Sequence, residues 1–162
     1  MPDQACHIAP ARSAADLDAV VLLFRAYAAS LAIDLAYQDF ATELATLPGK
    51  YAAPAGELLL ARDGHGEALG CVGLRPLPTA GHCEMKRLYV VPRGRALGIG
   101  RALVDAILAA AVRLGYREIR LDTLPDMVAA LGLYRQAGFV PIAPYYDTPV
   151  AGTVFLGRTL VP

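Results

Sequence analysis

The stretch Val90-Val91-Pro92-Arg93-Gly94-Arg95-Ala96-Leu97-Gly98-Ile99-Gly100-Arg101 runs from an apolar strand, through a glycine-spaced turn, into strongly helical sequence. The first N–H groups of a helix lack intrahelical partners, and the aligned peptide dipoles add partial positive charge at that end. Gly98 and Gly100 carry no side chains that would hold a ligand away from those amides. Such a turn is a ready anion site, matched to phosphate or pyrophosphate, and Arg95 and Arg101 add cationic donors around it. A helix entry whose glycines only ease packing accounts for the same residues. Two other phosphate motifs do not fit. A P-loop requires Lys directly after its last glycine, where this chain has Arg101. A dinucleotide fingerprint requires glycine three positions after Gly100, where this chain has Leu103.

Outward from this turn, the pattern predicts the order β-α-α-β-β-β-α-β-α-β-β. Ser13 reads as an N-cap with Asp16 at the acidic capping-box position, and Leu17, Val20, Val21, Phe24, Ala28 and Leu31 recur at helical spacing. A second helix is expected around Phe40, Leu44 and Leu47, stopped by Pro48-Gly49. Residues 57–62 and 68–75 read as a hairpin about the turn Asp63-Gly64-His65-Gly66, followed by a strand over 83–91. Ile99, Leu103, Ile107, Ala110 and Leu114 form one apolar stripe of a helix that Gly115 ends. A strand is expected over 118–123, a helix over 126–137 with Gly138 as its C′ residue, and closing strands over 139–142 and 153–160. Three strands joined by short turns exclude an all-parallel doubly wound sheet. The fold class is α+β with a mixed sheet.

The length of 162 residues suits one domain, here 1–162, with a single core. No run approaches the roughly 18 apolar residues of a membrane span, and Met1-Pro2-Asp3-Gln4 lacks the regions of a signal peptide. Cys6, Cys71 and Cys83 show no metal-ligand spacing, so no metal site is expected, and the chain reads as cytoplasmic. Fifteen basic and fifteen acidic side chains cancel, which speaks against the long basic stripe of a nucleic-acid groove. The local group Arg87, Arg93, Arg95 and Arg101 suits one compact anion instead.

The segment Arg95 to Gly100 resembles the Arg/Gln-x-x-Gly-x-Gly/Ala signature of the GNAT N-acetyltransferase superfamily. Glu84-Met85-Lys86-Arg87-Leu88-Tyr89-Val90 looks like that family's fourth strand, and Leu133-Tyr134-Arg135-Gln136-Ala137-Gly138-Phe139 like its Leu-Tyr-x-x-x-Gly-Phe segment. The resemblance implies a mostly antiparallel sheet splayed between strands 4 and 5 and flanked by about four helices. It implies acetyl-CoA as co-substrate and direct attack by a primary amine. Backbone groups of Leu88 and Val90 would then pair with the pantetheine arm, and Arg95, Ala96, Leu97, Gly98, Ile99, Gly100 and Arg101 would hold the pyrophosphate.

In the family a tyrosine at the place of Tyr134 protonates the leaving thiolate, work suited to a phenol of pKa about 10 beside a thiol near 8.5. Its sequence position, on one face with Met127, Ala130 and Leu131, equally suits a core tyrosine. Glu84 lies eleven positions before Arg95, where the histone-acetyltransferase branch of the family places its catalytic glutamate. It is the candidate general base, expected to share a strand face with Lys86, Leu88 and Val90. An ion pair with Lys86, or a water chain doing the proton transfer, are the competing readings. Many members carry Asn seven residues before the tyrosine, where this chain has Met127.

His82 and Cys83, adjacent on a strand, point to opposite faces and make a poor nucleophile pair. In the family the acceptor pocket is shaped by the first two helices and the loop before the last strand, so the resemblance implies residues 30–50 and 143–152 here, with Leu35, Tyr37, Phe40, Tyr145 and Tyr146 as walls and Asp34, Asp39 or Asp147 attracting an ammonium. A small molecule or peptide amine would suit it, and a homodimer is compatible with the reading. The rival function is a non-catalytic acyl-CoA-binding or sensing domain.

Overall fold

The Ser13 hydroxyl accepts from the Asp16 amide at 3.0 Å, and the Asp16 carboxylate accepts from the Ser13 amide at 3.2 Å. This closed capping box starts α1 (Ala14–Ser30). The structure is a computed structural model that describes residues 6–161; the signal-peptide reading of the first four residues lies outside that range. The expected order is observed: β1 (His7–Pro10), α1, α2 (Phe40–Ala45), β2 (Glu57–Arg62), β3 (Ala68–Pro76), β4 (His82–Val90), α3 (Ile99–Arg113), β5 (Glu118–Thr123), α4 (Val128–Gln136), β6 (Val140–Pro141) and β7 (Val154–Thr159).

Boundaries move where local hydrogen bonds compete with the helix. α4 starts at Val128 rather than Asp126, because Pro125 and Asp126 form a turn closed by the Met127 amide on the Leu124 carbonyl. α2 stops at Ala45, and a 3-10 turn over Leu35–Gln38 precedes it. Gly115 and Gly138 both stand just past helix ends at φ +87 and +92, the left-handed conformation that suits a C′ glycine. β6 is only two residues long at the sheet edge, where Pro141 has no amide to donate.

The seven strands form one sheet in the order β1-β2-β3-β4-β5-β7-β6, antiparallel throughout except between β4 and β5. That parallel pair holds at only three positions, His82↔Glu118, Cys83↔Ile119 and Glu84↔Arg120, after which the strands part. A bulge marks the far part of β4. Tyr89 pairs with Cys71 but Lys86 with Gly73, so Arg87 and Leu88 together oppose Val72, and Arg87 takes φ +62. An extra residue of this kind bends and twists its strand, which favours separation from β5.

The bulge also changes which side chains share a face, and this corrects the simple alternation expected for β4. Glu84 and Lys86 lie on one face, whereas Leu88 and Val90 join Met85 on the other. The Met85 face packs under α3 and α4 with Leu103, Ile107 and Leu131. The opposite face packs under α1 with Val20, Phe24 and Tyr51. The polar side chains Glu84, Lys86 and Arg87 are buried in the middle of the sheet. Groups of that kind are costly to bury and need partners.

Candidate active site

Val91 leads through a 3-10 turn, Pro92–Gly94, to Gly98, which stands at φ +78 as the N-cap of α3. The first intrahelical bond of the cap runs from Ala102 N–H to Gly98 C=O at 3.0 Å. The amides of Ile99, Gly100 and Arg101 precede it and lack partners within the helix. These residues form one wall of a groove of about 680 Å³, together with Leu88, Val90, Arg95, Ala96 and Gly98; Met127, Val128, Ala130 and Leu133 form the other. A Cβ built on Gly98 meets no protein atom within 4 Å, so the space beside the amides is open to a ligand. A groove of this size ending on free amides and two arginines fits a nucleotide-bearing thioester such as acetyl-CoA.

Of the residues expected at the groove, Leu97 stands apart: it is 54% exposed and is not part of the walls. The arginine cluster also resolves differently. Arg93 pairs with Asp63 and Glu67 on the β2–β3 turn. Arg87 is buried against Glu43. Only Arg95 and Arg101 flank the cradle. Arg95 donates through Nε to the Val90 carbonyl at 3.2 Å and lies over the Tyr89 ring, and Arg101 pairs with Asp105 at 3.0 Å. Both are exposed at the surface beside the cradle.

On the opposite face one buried carboxylate, Glu84, and two half-buried ones, Glu43 and Asp122, each meet one cation. Glu84, 1% exposed, accepts from Arg75 Nε at 2.8 Å and from the Tyr145 hydroxyl. The ion pair of Glu84 with Lys86, the competing reading, is not observed, because Lys86 reaches across the parted strands to Asp122 at 3.4 Å and also meets Gln38 at 3.2 Å. Asp122 also accepts from the Tyr146 hydroxyl. Glu43 accepts from Arg87 Nε and Nη2 at 2.9 and 2.8 Å and from the Tyr51 hydroxyl at 3.0 Å. None of the aspartates expected to attract an ammonium lines the cavity between β4 and β5. Asp34 caps Ala36, Asp39 accepts from Thr42, and Asp147 is exposed.

A second, much narrower cavity of about 40 Å³ runs through the sheet where β4 and β5 part. Tyr37, Gln38, Lys86 and Asp122 line it from the α1 side, and Met85, Leu88, Met127 and Tyr134 from the α4 side. Tyr27, Leu88 and Met127 border both this cavity and the groove. Tyr134 is 7% exposed and packs edge-on against Phe139. Glu84 and Tyr145 are not on the cavity wall; Asp122 is the carboxylate that is. Asp122 was missed in the sequence, although the alternation of β5 carries the signal. Ile119 and Leu121 face the core, which leaves Glu118, Arg120 and Asp122 on the face that bears Glu84.

Burial, and then the nearby Tyr27 and Asp122, raise the Tyr134 phenol above its ordinary value. Burial, then the charge of Glu84, raises Tyr145 too. Lys86 is lowered by burial, which the charges of Asp122 and Glu84 offset only in part. The Cys83 thiol is pushed up to about 12 by burial and by Glu84, which makes it inert as a nucleophile. His82 meets Glu118 at 3.2 Å, away from that thiol.

Residues 24–139 match the model of the acetyltransferase (GNAT) family, and the chain belongs to that family. It is an acetyl-CoA-dependent N-acetyltransferase. An uncharacterized N-acetyltransferase of Schizosaccharomyces pombe is 43% identical over 141 residues, covering 87% of this chain and 86% of the relative. A second, from Dictyostelium discoideum, is 28% identical and covers 85% of this chain and 91% of the relative. A GNAT acetyltransferase of Staphylococcus aureus Mu50 shares the fold with a TM-score of 0.79 at 21% identity, over 97% of this chain and all of that one. Among the described residues no helix is long and apolar enough to cross a membrane.

Proposed function

We propose that this protein acetylates the primary amine of a small molecule or peptide that enters from the α1 face and meets the thioester through the gap between β4 and β5. The observation that carries this reading is the cavity through the sheet, which joins the Tyr134 side to the Asp122 side and shares three wall residues with the groove. Acetyl-CoA, when bound, supplies the acetyl group as a thioester. The amides of Ile99, Gly100 and Arg101, with Arg95 and Arg101, hold its pyrophosphate, and the backbone of Leu88 and Val90 offers the free edge of β4 to the pantetheine arm.

The amine attacks only after it loses a proton. Asp122, on the wall, holds the ammonium, and Glu84 is the final proton acceptor through the Tyr145 hydroxyl. Because neither Glu84 nor Tyr145 lines the cavity, a water carries the N–H proton to the Tyr145 oxygen while the Tyr145 proton passes to Glu84. The raised Tyr145 phenol cannot serve as a free phenolate, so the two shifts are concerted. Tyr134 delivers a proton to the departing sulfur, and its raised pKa keeps that proton in place until charge develops there.

The test is thiol release from acetyl-CoA with an amine library, followed as a function of pH. Glu84→Gln and Tyr145→Phe should both lose the acidic limb of the kcat/KM profile, whereas Asp122→Asn should mainly raise the KM of the amine. If Asp122→Asn alone removes the acidic limb, Asp122 is itself the base. If CoA binds and no amine of the library releases thiol, the acceptor class proposed here is wrong.

A further inference from the structure

The space in which thioester and amine meet is small. The cavity between the parted ends of β4 and β5 measures about 40 Å³, against about 680 Å³ for the donor groove. One water-sized group takes up roughly 10–15 Å³ of such space, so the cavity has room for about three or four of them. The carbons and oxygen of an acetyl group, with the attacking nitrogen, use that room up. The body of the acceptor then stays outside on the α1 face, and nothing is left for a longer acyl chain. The deep walls are packed: Met85 and Leu121 are buried in the core under α3 and α4, and Lys86 and Asp122 pair across the gap.

Tyr27, Leu88 and Met127 line both spaces and so stand between them. Leu88 packs against the core under α3 and α4. The Tyr27 ring is braced edge-on by Tyr89 at 6.3 Å and by the Arg87 guanidinium at 5.9 Å. Met127 is half-buried and carries an unbranched side chain, the kind that adapts readily to its surroundings. Here it is tied down at both ends. Its amide donates to the Leu124 carbonyl at 3.1 Å, and its carbonyl accepts from the Leu131 amide at 3.0 Å. Its sulfur accepts from the hydroxyl of Thr123 at 3.8 Å, and Thr123 is itself buried in the cavity wall. A flexible side chain anchored in this way acts as a fixed wall.

We infer that Met127 sets the upper limit on the acyl group of the donor: its side chain, anchored on Thr123, closes the cavity around an acetyl group and excludes propionyl and longer chains. This rests on the transferase reading of the same site and deepens it on the donor side, where it names a specificity-determining residue. Removing Cγ, Sδ and Cε of Met127 joins the narrow cavity to the far larger groove. The added methylenes of a longer acyl chain then gain an apolar surface to cover, formed by Ala130 and Leu133.

The experiment is calorimetric titration of the full-length protein with CoA, acetyl-CoA, propionyl-CoA and butyryl-CoA, which needs no acceptor. Each thioester affinity is taken relative to that of CoA for the same variant, so that changes elsewhere in the groove cancel. In the wild type the relative affinity should be highest for acetyl-CoA and fall roughly 10-fold or more with one added methylene, the scale on which an apolar pocket separates homologues. In Met127→Ala the order should reverse, with each newly buried methylene adding up to about 4-fold. Met127→Leu, of similar volume, should keep the wild-type order. Equal or rising affinity from acetyl-CoA to butyryl-CoA in the wild type, or the wild-type order surviving in Met127→Ala, overturns the inference and leaves the transferase reading standing. Failure of CoA and of every thioester to bind the wild-type protein overturns both.

Discussion

Replacing Gly98 with valine perturbs two quantities that can be separated. Gly98 stands at φ +78, a conformation that costs an L-residue about 1–2 kcal/mol. In a chain of this length each kcal/mol corresponds to roughly 2–4 °C of Tm, so a fall of about 2–8 °C is expected from strain alone. The side chain would also stand in the groove beside the first amides of α3, where the Cβ of any residue meets only open space. Losing two charge-assisted hydrogen bonds, at about 1.5–3 kcal/mol each, weakens CoA binding by about 10²–10⁴-fold. Gly115 is the matched control. It has φ +87, an equally open surrounding, and a position past the far end of α3. Gly115→Val should lose a similar amount of Tm and keep its affinity for CoA. Calorimetric titration with CoA and thermal melts decide the matter. Wild-type affinity in Gly98→Val, or an equal loss of affinity in Gly115→Val, would refute the assignment of the cradle.

Tyr134→Phe removes a hydroxyl and keeps the contact with Phe139; turnover should fall about 10²–10⁴-fold with little change in Tm, and unchanged turnover would leave Tyr134 as a packing residue. Arg87→Met strands the Glu43 carboxylate on a buried face, so a loss of about 3–5 kcal/mol, or roughly 6–20 °C, is expected in thermal melts. The same pair gives a pH dependence of known sign. Burial works to raise the Glu43 carboxyl, but hydrogen bonds and charge from Arg87 outweigh it and hold the group below its ordinary value of 4.5. Its stabilising contribution is therefore complete above that value and is lost as pH falls through the lower folded-state pKa. Chemical denaturation of Glu43→Gln between pH 3 and 6, run beside the wild type, should show a shallower loss of stability toward acid; parallel curves would count against the linkage.

Much of the scaffold is written in local sequence. Ser13 and Asp16 close their cap within four residues, Gly115 and Gly138 end helices by adopting positive φ, and the stripe of α3 meets the sheet as its spacing requires. The cradle belongs to the same class, since free amides at a helix start and a glycine N-cap are properties of a dozen consecutive residues. The acceptor side is different. Glu84 could be placed on β4 from sequence, but its partner could not, because Arg75 on β3 and Lys86 compete for it across a register that includes a bulge. That bulge at Arg87 turns Leu88 and Val90 away from the face of Glu84, and no period-two pattern announces it. Asp122 lies 36 residues from Lys86, and the two meet only because β4 and β5 pair for three residues and then part. Charges buried in pairs are assigned by long-range geometry, and the closing of the sheet decided which cation each carboxylate of this protein received.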